Sequence, residues 1–379
     1  MPYSFIALGI VVIIAMIVAA ISLRKSSSSS QSPYIEALHL TIDNNYDAAI
    51  EKLKQTVRKD TSNIQAYILL GDLICKQGDP GRAAKIHQNL LIRSEITGKQ
   101  RECILQHLIN DYCCDNQLDK AAAMAEELTR INKKNPETQR LLLFLYEAKG
   151  DWDKAFFYKQ SLSRWHKKEG KDILALYKVE TGKQLFKKGE WHKARIRFRE
   201  ALKINPTCIP AYLYWGDSYR AENRNNDAFI IWQEYTEKVP EWAHLAFERL
   251  KSVMFDLGKF SEIESIFQRI IRKKPKNTTV YSEMIELYRK QGRFEEAIDL
   301  CKSILNQKPG SWNCRHSLVQ LYNDRGNIEA ALKEAMILLN QNVEKETTFQ
   351  CRNCGHQSRE PEWYCPSCQQ WNTFLEESL

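Results

Sequence analysis

Nine turn-forming residues recur along this chain at a nearly constant interval, which constrains the fold more than any other feature. They are Asn44, Gly78, Asn116, Gly150, Gly189, Asn223, Gly258, Gly292 and Gly326, separated by 34, 38, 34, 39, 34, 35, 34 and 34 residues. At six of them an aromatic or apolar residue comes two positions on and an alanine three beyond that: "NNYDAA" (44–49), "NQLDKA" (116–121), "GDWDKA" (150–155), "GEWHKA" (189–194), "GRFEEA" (292–297) and "GNIEAA" (326–331). Gly or Asn tolerates the positive φ of an interhelical turn, and a small alanine lets two helices approach closely. Pro206, Pro240, Pro275 and Pro309 stand where the second helix of a pair must stop. Each helix pair buries its apolar face only against the next pair, so such units stack. The two longer intervals predict extended linking turns in "TGKQRE" (97–102) and "HKKEGK" (166–171).

A period of 34 resembles the tetratricopeptide repeat. The segment "GKQLFKKGEWHKARIRFREALKINP" is similar to the family consensus nearly throughout, at Gly182, Leu185, Gly189, Trp191, Ala194, Phe198, Ala201 and Pro206. The expected fold class is all-α: a superhelical solenoid of about nine repeats over residues 34–345. In this family the concave surface binds segments of other proteins, so the resemblance implies an adaptor. The inward-facing positions it implies include Lys183, Phe186, Lys187, Arg220, Phe255, Arg289 and Lys290, a basic stripe suited to acidic or helical ligands. The chain holds no Gly-rich phosphate loop, no His-rich helix motif and no Ser, His and Asp set in a recognisable context. No catalytic residue and no enzymatic activity are expected. His87, His107, His192 and His316 fall on predicted helices, in packing or surface roles.

The amino terminus decides where such a protein resides. Residues 3–23, "YSFIALGIVVIIAMIVAAISL", carry no charge and twelve Leu, Ile, Val or Phe side chains, each favouring insertion by about 0.3–0.6 kcal/mol. At about 1.5 Å per residue a helix of this length spans a hydrocarbon core of about 30 Å. The positive pair Arg24 and Lys25 follows the apolar run instead of preceding it, which predicts a retained anchor with its amino terminus outside and the rest of the chain in the cytoplasm. "SSSSSQSP" (26–33) then reads as a flexible polar tether. The formal net charge of +8 is interleaved with apolar residues at helical spacing, in "WHKARIRFRE" and "RIIRKKPK". That pattern describes solvated helix faces, and no nucleic-acid partner is expected.

Of eleven cysteines, Cys75, Cys103, Cys113, Cys114, Cys208, Cys301 and Cys314 are scattered through helical text, as suits free thiols in a reducing compartment. The other four form two Cys-x-x-Cys pairs, Cys351/Cys354 and Cys365/Cys368, within "CRNCGHQSREPEWYCPSC". Two such knuckles can deliver four thiolates to one tetrahedral ion. A segment of this size has little core of its own and needs a staple. The pattern resembles rubredoxin, whose site takes iron, but only ten residues separate the pairs and Gln369 stands where rubredoxins usually carry Gly. Structural zinc is therefore preferred, with iron as the alternative. Four sulfurs fill the shell, so His356 reads as a bystander. Trp363, Tyr364, Trp371 and Phe374 exceed what so small a module can hide, and they are expected to pack against the last repeats.

Anchor and basic flank (1–25), tether (26–33), repeats (34–345) and metal module (346–379) together resemble the lipopolysaccharide assembly protein B family of Gram-negative bacteria, with "CRNCG" and "WYCPSCQQW" the most specific match. The resemblance implies a single-pass inner-membrane protein that presents the committed deacetylase of lipid A synthesis to the membrane protease FtsH. It also implies contact between the anchor and an inner-membrane regulator that reports lipopolysaccharide accumulation, and it is compatible with a homodimer. A generic membrane-tethered scaffold and a rubredoxin-like electron carrier are the alternative readings.

Overall fold

The structure is a computed structural model describing residues 32–132, 135–163, 170–274, 278–339 and 348–377. The apolar stretch 3–23 and most of the serine tether lie outside the described residues. Among those described, no helix is long and apolar enough to cross a membrane.

The chain forms two compact units, the first ending at Gly150 and the second beginning at Asp151. The first holds α1 (Pro33–Ile42), α2 (Tyr46–Lys59), α3 (Ile64–Lys76), α4 (Pro80–Leu91), α5 (Gly98–Cys114), α6 (Leu118–Ile131) and α7 (Pro136–Lys149). The second holds α8 (Trp152–Ser163), α9 (Lys171–Lys187), α10 (Trp191–Ile204), α11 (Ile209–Arg220), α12 (Asn225–Lys238), α13 (Phe247–Asp256), α14 (Ile263–Lys273), α15 (Thr278–Lys290), α16 (Phe294–Gln307), α17 (Trp312–Asp324) and α18 (Ile328–Leu339), with short 3-10 turns at Pro240–Ala246 and Phe260–Glu262. The described chain is thus mostly helical and built of tetratricopeptide-type helix pairs.

All nine turn residues anticipated from the spacing adopt positive φ, between 53° and 91°. At Gly189 the reversal is closed by two backbone bonds, Gly189 N–H to the Phe186 carbonyl and Glu190 N–H to the Leu185 carbonyl, both 3.0 Å. These satisfy carbonyls left over at the end of α9. Helices α10, α12, α14 and α16 each stop two residues ahead of a proline, at Ile204, Lys238, Lys273 and Gln307, because the residue before proline avoids the helical region. The long interval from Gly78 to Asn116 resolves differently from expectation, being spent chiefly on a longer first helix: α5 runs 17 residues against 13 in α3 and α17. In the interval from Gly150 to Gly189, α9 also runs 17 residues, and most of "HKKEGK" lies outside the described residues. "TGKQRE" is not a loop, since Thr97 caps α5 through a capping box with Gln100.

Close approach explains the glycine of the repeat pattern. A Cβ at Gly182 would lie 2.4 Å from the ring of Phe198, and one at Gly216 2.1 Å from Trp232. Phe198 and Trp232 are fully buried, so the missing methyl is the space that admits the ring of the second helix. Trp232 keeps its indole N–H satisfied by donating to the Leu213 carbonyl at 3.2 Å. One continuous core then runs from Tyr212 to Leu321 through α11–α17. On the polar side, alternate helices are linked by ion pairs: Arg249 of α13 to Asp217 of α11 at 2.9 Å, Lys251 to Glu283 of α15 at 3.0 Å, and Arg289 to Asp324 of α17 at 3.2 Å. Each contributes about 0–1 kcal/mol at such exposure, so they set register more than stability.

The second unit ends in three short strands that the sequence reading did not place: β1 (Thr348–Cys351), β2 (Gln357–Ser358) and β3 (Phe374–Glu377). They form an antiparallel sheet in the order β2-β1-β3, with Cys351 opposite Phe374 and Phe349 opposite Ser358.

Candidate metal centre

Two hydrogen-bonded knuckles of the same design bring the four thiols together. In the first, Gly355 N–H donates to the Cys351 carbonyl at 2.8 Å and Cys351 N–H to the His356 carbonyl at 2.8 Å. In the second, Gln369 N–H donates to the Cys365 carbonyl and Cys365 N–H to the Gln370 carbonyl, both 2.9 Å. Each knuckle needs a left-handed residue after its second cysteine, and Gly355 (φ 76°) and Gln369 (φ 57°) supply it. His356 contributes through its backbone carbonyl, while its ring stands edge-on to Phe374 with centroids 6.1 Å apart.

The sulfurs of Cys351, Cys354, Cys365 and Cys368 all lie within 4.8 Å of one another. Two cross-knuckle pairs, Cys351–Cys368 and Cys354–Cys365, stand at 3.6 Å. A tetrahedral ion bonded to sulfur at about 2.3 Å requires sulfurs about 3.8 Å apart, so the cluster fits one such ion. Cys351 and Cys365 are buried. Burial opposes ionisation of Cys351, yet the Thr373 hydroxyl, 3.0 Å from its Sγ, together with the backbone N–H groups of Cys354 and Asn353, draws this thiol down to about 6. The Asn353 side chain lowers Cys368, against its burial. Cys365 is pushed up to about 11 by its burial. The site thus holds preorganised donors for thiolate on either knuckle. Thr373 and Asn353 were not foreseen, since neither is a ligand type and only the fold places them beside sulfur.

Tyr364 and Trp371 of the ribbon are seated on the first helices of the second unit, not on the last repeats as the aromatic excess had suggested. Trp371 meets Tyr177 of α9 (5.2 Å) and Trp152 of α8 (5.6 Å), and Tyr364 meets both Trp152 (5.9 Å) and Trp371 (4.7 Å). Trp363 packs against the cores of α9–α11 and of α11–α17. The aromatic side chains beside the second knuckle therefore belong as much to the helices as to the ribbon.

Residues 349–376 match the family described as rubredoxin metal binding domain, and residues 254–311 and 288–345 match the tetratricopeptide repeat. Two curated relatives extend the likeness beyond these parts. Lipopolysaccharide assembly protein B of Escherichia coli is 23% identical over 345 residues, covering 90% of this chain and 88% of its own. The protein of the same name in Haemophilus influenzae is 23% identical over 372 residues, covering 92% of this chain and 90% of its own. The chain is similar to lipopolysaccharide assembly protein B along nearly its whole length. The four cysteines form the rubredoxin-like metal site that this likeness entails.

The anticipated partner surface is less basic than its residues suggest, because most of its cations are already paired. Lys183 pairs with Glu180 at 2.8 Å and lies over the ring of Tyr214. Arg220 donates to the Ser252 hydroxyl at 2.6 Å. Arg289 is held by Glu286 and Asp324, and Lys290 by Glu286 at 3.5 Å. Phe186 is partly buried against the α9–α11 core, Lys187 is exposed, and Phe255 is 76% exposed. The ribbon also closes one wall of a cavity of about 720 Å³. Phe349, Arg359, Pro361 and Trp363 face Tyr214, Arg249, Ser282 and His316 across it.

Proposed function

We propose that this protein is a non-catalytic adaptor of the inner membrane that holds lipopolysaccharide synthesis in check. It presents the committed deacetylase of lipid A synthesis to an FtsH-type membrane protease. The observation that carries the reading is the likeness to lipopolysaccharide assembly protein B over nine-tenths of the chain, supported by helix pairs of a kind that binds protein segments. Residues 3–23 serve as a single-pass anchor with the amino terminus in the periplasm. Residues 34–345 serve as the repeat region, and Lys183, Phe186, Lys187, Arg220, Phe255, Arg289 and Lys290 are its candidate contacts. An inner-membrane regulator acts through the anchor, and a homodimer is compatible with the arrangement. Zinc would be held by the four sulfurs, with no open position for hydrolysis and no accessible oxidation state for electron transfer. Proximity is then the whole mechanism: tethering a substrate beside a protease raises its effective concentration to about the millimolar range for a short linker. Deleting residues 1–25 should leave the soluble part folded and the deacetylase undegraded. Normal deacetylase loss with the truncated chain at native abundance would refute the proposal. Iron, seen as a red protein with a visible charge-transfer band, would favour the electron-carrier reading instead.

A further inference from the structure

We propose that Cys75 and Cys114 are a reversible disulfide site in the first unit, closed by hydrogen peroxide. The two residues sit in the last turn of α3 and at the end of α5 and line one cavity of about 480 Å³, together with Asp72, Lys76, His107 and Asn110. The neighbouring side chains of Cys114 and Asp111 both act on the Cys75 thiol, adding to the effect of its burial. Asp111 is fully buried. Its Oδ2 is held by His87 Nδ1 at 2.6 Å, while its Oδ1 meets no hydrogen-bond partner. An acceptor is therefore available beside the inner thiol.

The two cysteines differ in the way a peroxide-driven pair requires. Burial, with Cys114 and Asp111 adding to it, pushes the Cys75 thiol up to about 12, so it stays protonated and is a poor first target. Cys114 is exposed. Its thiolate sulfur attacks one peroxide oxygen, the O–O bond breaks, and the departing hydroxide takes a proton to become water, leaving Cys114 as sulfenic acid. The Cys75 sulfur then attacks the Cys114 sulfur. An S–S bond forms, the S–O bond breaks, and the hydroxide leaves as water with the Cys75 proton. Two thiols are oxidised by two electrons and the peroxide is reduced to two waters in all. Cys113 lies one residue away, about 100° round the helix, and does not line the cavity. A closed bridge would tie α3 to α5 along the face that this cavity opens.

The test treats the full-length, metal-loaded protein with about one equivalent of hydrogen peroxide and maps its thiols without reduction. The Cys75–Cys114 cross-linked peptide should exceed any other thiol pair outside the ribbon by at least tenfold and should disappear on adding dithiothreitol. Cys75→Ser should leave Cys114 as a sulfenic acid that dimedone traps, and Cys113→Ser should leave the cross-link intact. Cys114 advancing to sulfinic acid in the unaltered chain, or joining Cys113 or Cys103, would overturn the proposal. So would a Cys75 that remains free throughout.

Discussion

Trp371 of the ribbon stands edge-on to Tyr177 of α9, with ring centroids 5.2 Å apart and planes at 88°. Tyr177 is fully buried and Trp371 is not, so the contact is where the ribbon joins an otherwise complete helical core. Trp371→Ala should lower the stability of the second unit by about 2–3 kcal/mol, less than for a fully enclosed tryptophan. It should also let the ribbon detach while the helices persist. Denaturant titration of the full chain, with protease sensitivity near Glu360 as a second readout, checks both.

The helices and the ribbon should respond separately to metal. Among the described residues, Trp363 is the ribbon side chain packed against the α11–α17 core, and it is only partly buried, whereas the ribbon depends on binding that supplies on the order of 10 kcal/mol in such modules. A strong chelator, or Cys365→Ser, should shift tryptophan emission to the red as Trp363 and Trp371 meet water. The far-ultraviolet helical signal should fall by little.

Gln369 holds φ 57°, a conformation that Gly355 adopts in the matching knuckle at 76°. A left-handed residue with a side chain costs about 1–2 kcal/mol, part of which glycine gives back through the unfolded chain. Gln369→Gly should therefore stabilise the metal-loaded ribbon by about 1 kcal/mol, read as a higher midpoint in denaturant with unchanged metal content.

Gly182→Ala should do the reverse in the helices. Its Cβ would meet buried Phe198 at 2.4 Å, and overpacking of this kind costs about 1–3 kcal/mol. Thermal unfolding should show the loss, and Phe198→Leu in the same chain should recover part of it.

His107 gives the first unit a pH dependence of known sign. Its hydrogen bond to Asp72, 2.7 Å away, raises its pKa above the ordinary 6.5, with burial opposing. A raised folded-state value means the stabilisation is fully present below pH about 6.5 and is lost as pH rises through the folded value. Stability measured from pH 5.5 to 8.5 should decline more in the native chain than in His107→Gln. The effect is modest, because about a third of each side chain is open to solvent.

What the sequence disclosed followed from local rules. Positive φ at nine spaced residues, prolines two past a helix end, and paired thiols three residues apart each depend on a few neighbours. They were legible for that reason. The seat of the ribbon was not: an excess of aromatic side chains says that something must cover them, but Trp152 and Tyr177 lie about 200 residues upstream and look like ordinary repeat residues. The same holds for Thr373 and Asn353 beside the sulfurs, and for Asp256 and Asp324, which come beside Arg220 and Arg289 only when one repeat stacks on the next.

The adaptor account is tested most directly by photo-crosslinking the full-length protein in its own membrane, from reactive residues placed at Lys187 and Phe255. Capture of the lipid A deacetylase and an FtsH-type protease is the predicted result. Capture of neither, with deacetylase turnover unchanged when the gene is removed, would contradict it.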